Sequence, residues 1–368
     1  MLAAHGFVVH GLATTAVESR VPLDFKAAIY ANGVCRDEIA ARVDRHYGVL
    51  RFEDRNVSYT LVDTQSLGIA RWPESAGATY DRLFDDELNS FRPDVLFTYG
   101  GHLDDRRRHH RAQLAGARVV FGVFSLGYLE PGFFNSVDAV LTPSRYMAGR
   151  YAQIGISSTP IATPLVLEDV LSDAAGREFV TIVNPAIEKG LMFAARLLHE
   201  LTRLRPDIPI LVVESRGTRE QLYLASFAGG FDIRDAPVTF WPPQVMPKEI
   251  YARTRVLLVP SVGEEASSRA VAEALVNGIP PIVSDRGGLP ENVGNGGFVI
   301  PLPTDLTRKS RAPVSAEAVR PWIDLITRLF RDHDFYKRSV DIAQSEGQRF
   351  APNAIAQEYV RFFQSAKG

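Results

Sequence analysis

Glu265 and Glu273 stand eight residues apart in the run Pro260-Ser-Val-Gly-Glu-Glu-Ala-Ser-Ser-Arg-Ala-Val-Ala-Glu273. If the first lies in a loop and the second on the helix that follows, they are just over two helical turns apart, about 12 Å at ~1.5 Å per residue. Carboxylates so spaced can each hold hydroxyls at one end of an elongated ligand. Between them the free N–H groups of a helix start form a seat for phosphate. A ligand with hydroxyls at both ends and phosphate in the middle is a nucleotide sugar. The same spacing also suits a surface helix carrying two solvated glutamates, and spacing alone does not separate these readings.

The flanking residues indicate what positions the pair. Arg255-Val-Leu-Leu-Val-Pro260 is a short apolar run stopped by proline, the pattern of a strand buried on both faces of a parallel sheet. Glu264, Glu265, Ser267 and Ser268 place caps and negative charge at a helix start. Ala270, Val271, Ala274 and Leu275 form the apolar face of that helix, which stops at Asn277-Gly278. Pro281-Ile-Val-Ser284 reads as the next strand, and Asp285-Arg-Gly-Gly288 as the loop leaving it.

The segment resembles the Glu-x7-Glu signature of retaining glycosyltransferases of the GT-B fold, the group 1 or family 4 class. Pro260, Ser261, Glu265, Glu273, Ala274, Gly278, Pro280, Asp285, Gly287, Gly288, Pro290 and Glu291 stand in register with that pattern. Ser267-Ser268 replaces the family's usual Phe-Gly, and Gly263 stands where an aromatic is common. Upstream, Phe179-Val-Thr-Ile-Val183 reads as a strand, followed by Asn184-Pro-Ala-Ile-Glu-Lys189-Gly190 and a helix to about Arg205, which is similar to the family's Lys-Gly loop. Asn184 stands near the place where an arginine is common. Ile210-Leu-Val-Val213 with Arg216-Gly217 resembles the strand and turn bordering the nucleotide base, and Val238 to Pro243 with Ile250-Tyr251 the base-pocket strand and short helix. Trp241 is either a base-stacking residue or an ordinary core tryptophan.

The resemblance implies roles. Glu265 would hold donor-sugar hydroxyls, Glu273 the nucleotide ribose, and Lys189 with Gly190 the diphosphate. Ala266, Ser267 and Ser268 would lend backbone amides, and Asn184, Arg216 and Gly217 would border the nucleotide. It also implies a UDP- or GDP-sugar donor, an unidentified acceptor (glycan, lipid or small molecule), retention by front-face attack with the leaving phosphate as base, and no cofactor or metal. Relatives commonly carry a histidine after the strand corresponding to Val119–Val123; here Phe124-Ser125-Leu126 follows. His102, in Gly100-Gly101-His102, is the nearest substitute, with Gly100, Gly101 and Ser125 as acceptor-side residues.

Composition sets the bounds. The chain has 368 residues, enough for two domains, and is 46% hydrophobic with a net charge of −2, which gives no global field toward nucleic acid or anionic membrane. A single cysteine, Cys35, excludes an intramolecular disulfide and fits a reducing cytoplasm, where we expect the protein. Apolar runs fall short of the ~20 residues of a membrane span, leaving at most peripheral membrane contact. Adjacent aspartates at Asp85-Asp86 and Asp104-Asp105 lack a third ligand at metal spacing. The cluster Asp104-Asp-Arg-Arg-Arg-His-His-Arg111 reads either as a patch for an anionic acceptor or as a solvated helix face.

In the first half, strands are expected at Gly6–Leu12, Phe25–Ile29, Val57–Val62, Pro93–Gly101, Ala117–Phe124 and Ala139–Pro143, and a helix over Tyr80–Phe91. Ser144 would cap the next helix. This alternation predicts a doubly wound parallel sheet. The expected architecture is two Rossmann-like doubly wound domains: an acceptor-side domain over 1–167, a nucleotide-sugar domain over 168–349, and a C-terminal helix over about 350–368 packing back on the first. The family's first strand and glycine-rich loop would precede an element like Leu2–His10; either an upstream segment carries them, which is the expectation, or the first domain lacks its first strand. Two other functions remain open: a catalytically degenerate nucleotide-sugar-binding partner of another transferase, and an epimerase or hydrolase on the same fold.

Overall fold

The structure is a computed structural model and describes residues 1–15, 40–43, 48–64, 74–99, 103–244 and 246–367. The chain divides into two units. Unit 1 comprises Met1–Gly122, Gly132–Ala139 and Glu358–Gly368, and unit 2 comprises Val123–Pro131 and Val140–Gln357. The strand expected at Phe25–Ile29 lies outside the described residues.

Unit 1 runs β1 (Val9–Thr14), β2 (Ala40–Val43), β3 (Gly48–Asp54), β4 (Val57–Val62), α1 (Glu74–Ser90), β5 (Val95–Thr98), α2 (Leu103–Leu114) and β6 (Arg118–Gly122). The first sheet has the order β1-β4-β3-β2, and β5 lies parallel to β6. Contrary to the expectation of a purely parallel sheet, only β1 and β4 are parallel there; β2, β3 and β4 form an antiparallel meander. The cause is local. Arg55 and Asn56 both take left-handed backbone angles, φ 51° and 61°, the two-residue turn whose twist matches paired strands. The first strand also begins later than expected, because Ala3–His5 forms a 3-10 turn closed by Gly6. The predicted stripe on α1 is buried: Leu83 packs with Val49 and Val62, and Phe84 and Leu88 with Ala112 and Val119.

Unit 2 continues with β7 (Ala139–Thr142), α3 (Arg145–Ala152), β8 (Thr159–Pro160), α4 (Leu167–Val170), β9 (Phe179–Val183), α5 (Leu191–Leu204), β10 (Ile210–Val213), α6 (Arg219–Ala228), β11 (Val238–Trp241), α7 (Pro247–Tyr251), β12 (Thr254–Val259), α8 (Arg269–Val276), β13 (Pro281–Val283), α9 (Leu289–Val293), β14 (Phe298–Val299), α10 (Ala316–Arg331) and α11 (His333–Gly347). Helix α12 (Pro352–Lys367) ends the described chain, and its Phe363 meets Phe97 edge-on within unit 1, at 5.7 Å between ring centroids.

The main sheet of unit 2 is six-stranded and parallel, in the order β11-β10-β9-β12-β13-β14. Strand β12 shows why Val256–Val259 is an unbroken apolar run. Val256 and Leu258 enter one core with Phe193, Leu197 and Trp322, whereas Leu257 and Val259 enter the core on the other face with Val271, Leu275 and Leu289. Both faces are covered, so no polar residue alternates along Val256–Val259. Strand order reverses between β9 and β12, the place where open parallel sheets bind ligands at their carboxyl ends.

Candidate functional site

The residues that leave β9 and β12 meet at that reversal. After β9, Asn184 turns with φ 55° and the chain enters a 3-10 turn, Ile187–Lys189, from which Gly190 opens α5. After β12, Ser261 to Glu265 form the facing loop. The carbonyl of Glu188 accepts from Val262 N and Gly263 N at 3.1 and 3.0 Å, which ties the two loops together. Gly190 has φ 89°, and a Cβ there would lie 2.1 Å from the Pro260 carbonyl oxygen, so no larger residue fits.

Lys189 Nζ donates to Glu265 Oε1 at 2.6 Å, and Ser261 Oγ donates to the same oxygen at 2.6 Å. Two residues that are 76 positions apart thus form one ion pair. The loop after β13 presses on it from behind: Gly288 N donates to the Glu265 carbonyl at 2.7 Å. The pair therefore sits on three strand ends of one sheet, at a helix start, with a hydroxyl supporting the carboxylate.

Glu273 lies on α8 and is buried, 6% exposed. Its Oε2 accepts from Tyr251 Oη at 2.7 Å and its Oε1 from Arg269 Nε at 2.6 Å. Tyr251 is itself 1% exposed, and burial together with the adjacent Glu273 carboxylate holds its phenol well above the ordinary value of 10. It therefore stays a donor throughout the working pH range. From the sequence, Tyr251 is placed only in the short helix by the base pocket and Arg269 is given no role; the i to i+4 spacing of Arg269 and Glu273 on a helix is the available signal for the latter. Tyr251→Phe leaves one buried carboxylate oxygen short of a donor, and we expect about 1–3 kcal/mol of lost stability. Urea unfolding checks this; an unchanged midpoint would mean that Glu273 finds another donor at no cost.

Of the amides expected to seat phosphate, that of Ser268 needs correction. Helix α8 starts at Arg269 with Ser268 as its cap, its hydroxyl accepting from Val271 N, and Ser268 N already donates to Asn292 Oδ1 at 2.5 Å. Ser268 thus supplies no free amide. The carbonyl of Ala266 accepts from Ser144 Oγ at 2.6 Å, and Ser144 also caps α3 as expected. Glu291 completes that start of α3, its two carboxylate oxygens accepting from Arg145 N and Tyr146 N at 2.8 Å each.

Other predicted residues fall around this core. Asn184 Oδ1 accepts from Gly217 N at 2.9 Å, bracing the turn after β10, and Arg216 pairs with Glu188 at 2.7 Å. Trp241 is half-buried against Leu211, Val213 and Ile250. Phe124, Pro143, Thr163, Leu165, Ser267, Arg269, Ala272 and Phe350 line a cavity of about 240 Å³ within unit 2. Phe124 is 39% exposed. The carbonyl of Ser125 accepts from Tyr151 Oη at 3.0 Å. Gly100, Gly101 and His102 lie outside the described residues. In the basic run, Arg108 pairs with Asp81 and Asp105 and Arg111 with Asp81 and Asp85, so these two arginines are neutralised against α1, while Arg107 pairs with Asp104 of its own helix. Among the described residues, no helix is long and apolar enough to cross a membrane, and no three His, Cys, Asp or Glu side chains are grouped to hold a metal.

Residues 178–312 match the family described as Glycosyl transferases group 1. No curated protein sequence matches the chain. In structure the chain is similar to Anabaena Alr3699/HepE in complex with UDP and glucose, with TM-score 0.65, 14% identity, and coverage of 97% of this chain and 100% of that one. It is also similar to sucrose-phosphate synthase from Thermosynechococcus elongatus, with TM-score 0.66, 15% identity, and 99% and 90% coverage. A third similar structure is an alpha,alpha-trehalose-phosphate synthase (UDP-forming) from Burkholderia vietnamiensis, with TM-score 0.59, 12% identity, and 98% coverage of each chain. At these identities the likeness is one of fold.

Proposed function

We propose, from the premise that residues 178–312 form a group 1 glycosyl transferase domain, that this protein moves a sugar from a nucleotide-sugar donor to an acceptor with retention of configuration and without a metal. The observation that carries the reading is the Lys189–Glu265 pair at the strand-order reversal. Such a pair holds a cation ready for a diphosphate and a carboxylate ready for sugar hydroxyls, each neutralised by the other until the donor arrives. Lys189 then turns to the leaving diphosphate and stabilises the charge that builds on it. Glu265, released from Lys189 but still held by Ser261, accepts from the donor sugar. Glu273, fixed by Tyr251 and Arg269, accepts from the ribose with its remaining lone pairs.

The leaving phosphate takes the acceptor proton, so no protein nucleophile is required. Among bases we favour uracil, since HepE was crystallised with UDP and with UDP-glucose. The donor half is assigned to residues 168–349 and the acceptor half to 1–167 with the last helix, in a cytoplasmic enzyme.

Thermal unfolding with UDP, GDP, ADP and TDP tests the nucleotide. UDP at ~100 times its Kd is expected to stabilise by about 2.7 kcal/mol. If none of the four raised the midpoint, the donor site would be lost as a reading. A second reading, a nucleotide-sugar-binding partner without turnover, is favoured by Phe124, whose ring cannot donate to a sugar hydroxyl. Release of UDP from UDP-glucose in the presence of a pooled acceptor set separates the two.

A further inference from the structure

We infer that the cavity beside the Glu265 loop receives a sugar ring bearing a carboxylate, as in a uronic acid, and that Arg269 reads that group. The inference rests on the donor-site reading for its biological setting, but its physical basis is the cavity itself. At about 240 Å³ the cavity is below the ~300–1,000 Å³ of pockets for larger ligands and suits a single ring. Its walls are mostly apolar, with hydroxyls from Thr163 and Ser267, and Arg269 supplies the one charge among the described residues that line it.

Arg269 is fixed but not used up. Its Nε donates to Glu273 Oε1 at 2.6 Å, and its two terminal nitrogens have no partner among the described residues. The Glu273 carboxylate is already bonded on both oxygens, by Tyr251 and by Arg269 Nε, and so tethers the guanidinium at Nε without occupying the terminal fork. Two parallel N–H groups on a planar cation match a carboxylate with two bonds, which an ammonium cannot reproduce. Apolar neighbours strengthen such a contact. The Arg269 side chain is 57% exposed, however, so water competes and the expected preference is about tenfold rather than that of a dry pocket.

The carboxylate can belong to the donor sugar or to the acceptor. Calorimetric titration with sodium glucuronate and with glucose tests the chemistry directly, with UDP titrated in parallel. Glucuronate is expected to bind about tenfold tighter than glucose. Arg269→Gln should bring that ratio to about one, and Arg269→Lys should restore only part of it. Ala272→Leu, which fills the cavity from α8 and leaves the ion pair in place, should weaken glucuronate binding even if the arginine variants prove poorly folded.

Glucuronate binding no tighter than glucose (including no binding of either), a ratio that survives Arg269→Gln, or undiminished binding to the Ala272→Leu protein overturns the proposal. A matching preference for UDP-glucuronate over UDP-glucose assigns the carboxylate to the donor; equal donor affinities with the free-sugar preference intact assign it to the acceptor. Failure of UDP to bind sinks the nucleotide reading instead, and the glucuronate ratio still judges Arg269.

Discussion

Lys189→Ala is expected to lower turnover on the order of 10²-fold, the loss seen when one preorganised electrostatic contact to a developing charge is removed. Lys189 leaves β9 by a turn fixed at both ends, and its Nζ lies 2.6 Å from Glu265 Oε1, so its position before the donor arrives is set by the fold. Removing it has two effects. The diphosphate loses its cation, and Glu265, only 12% exposed in its side chain, loses a counter-charge while keeping Ser261 as a donor.

Because the two residues act as a unit, Glu265→Ala should cost a similar factor, and the double variant much less than the product of the two. Initial rates of UDP release from the preferred donor, measured for the wild type, both single variants and the double variant, give the coupling directly. Near-wild-type rates in Lys189→Ala would remove the lysine from the chemistry. Strict multiplicativity would show that the pair works as two independent groups.

The second large effect concerns a residue with no functional group. Gly287 has φ 61°, and a Cβ there would lie 2.4 Å from both the N and the O of Glu265. No side-chain rotation relieves a clash with main chain. Gly287→Ala must strain its own backbone or push Glu265 away from Lys189, and we expect about 2–4 kcal/mol of lost stability together with a large drop in transfer. Urea unfolding reads the first and UDP release the second. A variant as stable and as active as the wild type would mean that the loop has room the structure denies it. Gly288 beside it adds a bond as well as space: its N–H holds the Glu265 carbonyl, and a Cβ there would lie 2.7 Å from the Ala266 carbonyl oxygen.

These cases show what was legible in the chain. The strand at Arg255–Pro260, the helix beyond Ser268 and the stop at Asn277-Gly278 were readable because burial on both faces, capping and left-handed turns are local requirements that leave residue-type signatures. The meander of β2 to β4 was not read, because its turn uses Arg55-Asn56 rather than a glycine pair, and register between strands is decided by their partners.

The candidate site divides the same way. Glu265 and Glu273 stood out by spacing, and Lys189 by its glycine and its place in the family pattern. Their chemistry was less accessible. Sequence suggested two carboxylates sharing one ligand across free amides. Folding adds the partners that spacing does not show: Lys189 and Ser261 for Glu265, Tyr251 and Arg269 for Glu273; of the amides, it closes that of Ser268 with Asn292. Of the basic run that reads as an anion patch or a solvated helix face, Arg108 and Arg111 are held by aspartates of α1.

By itself, then, the sequence determined a parallel α/β unit with acidic and basic residues at its strand ends, since periodicity, caps and glycine turns are written along the chain. Only tertiary structure decided which of those charges face one another, because the partner of Lys189 is 76 residues away and that of Tyr251 is 22. A carboxylate's role depends on the donors that reach it, and those donors are brought by the sheet order.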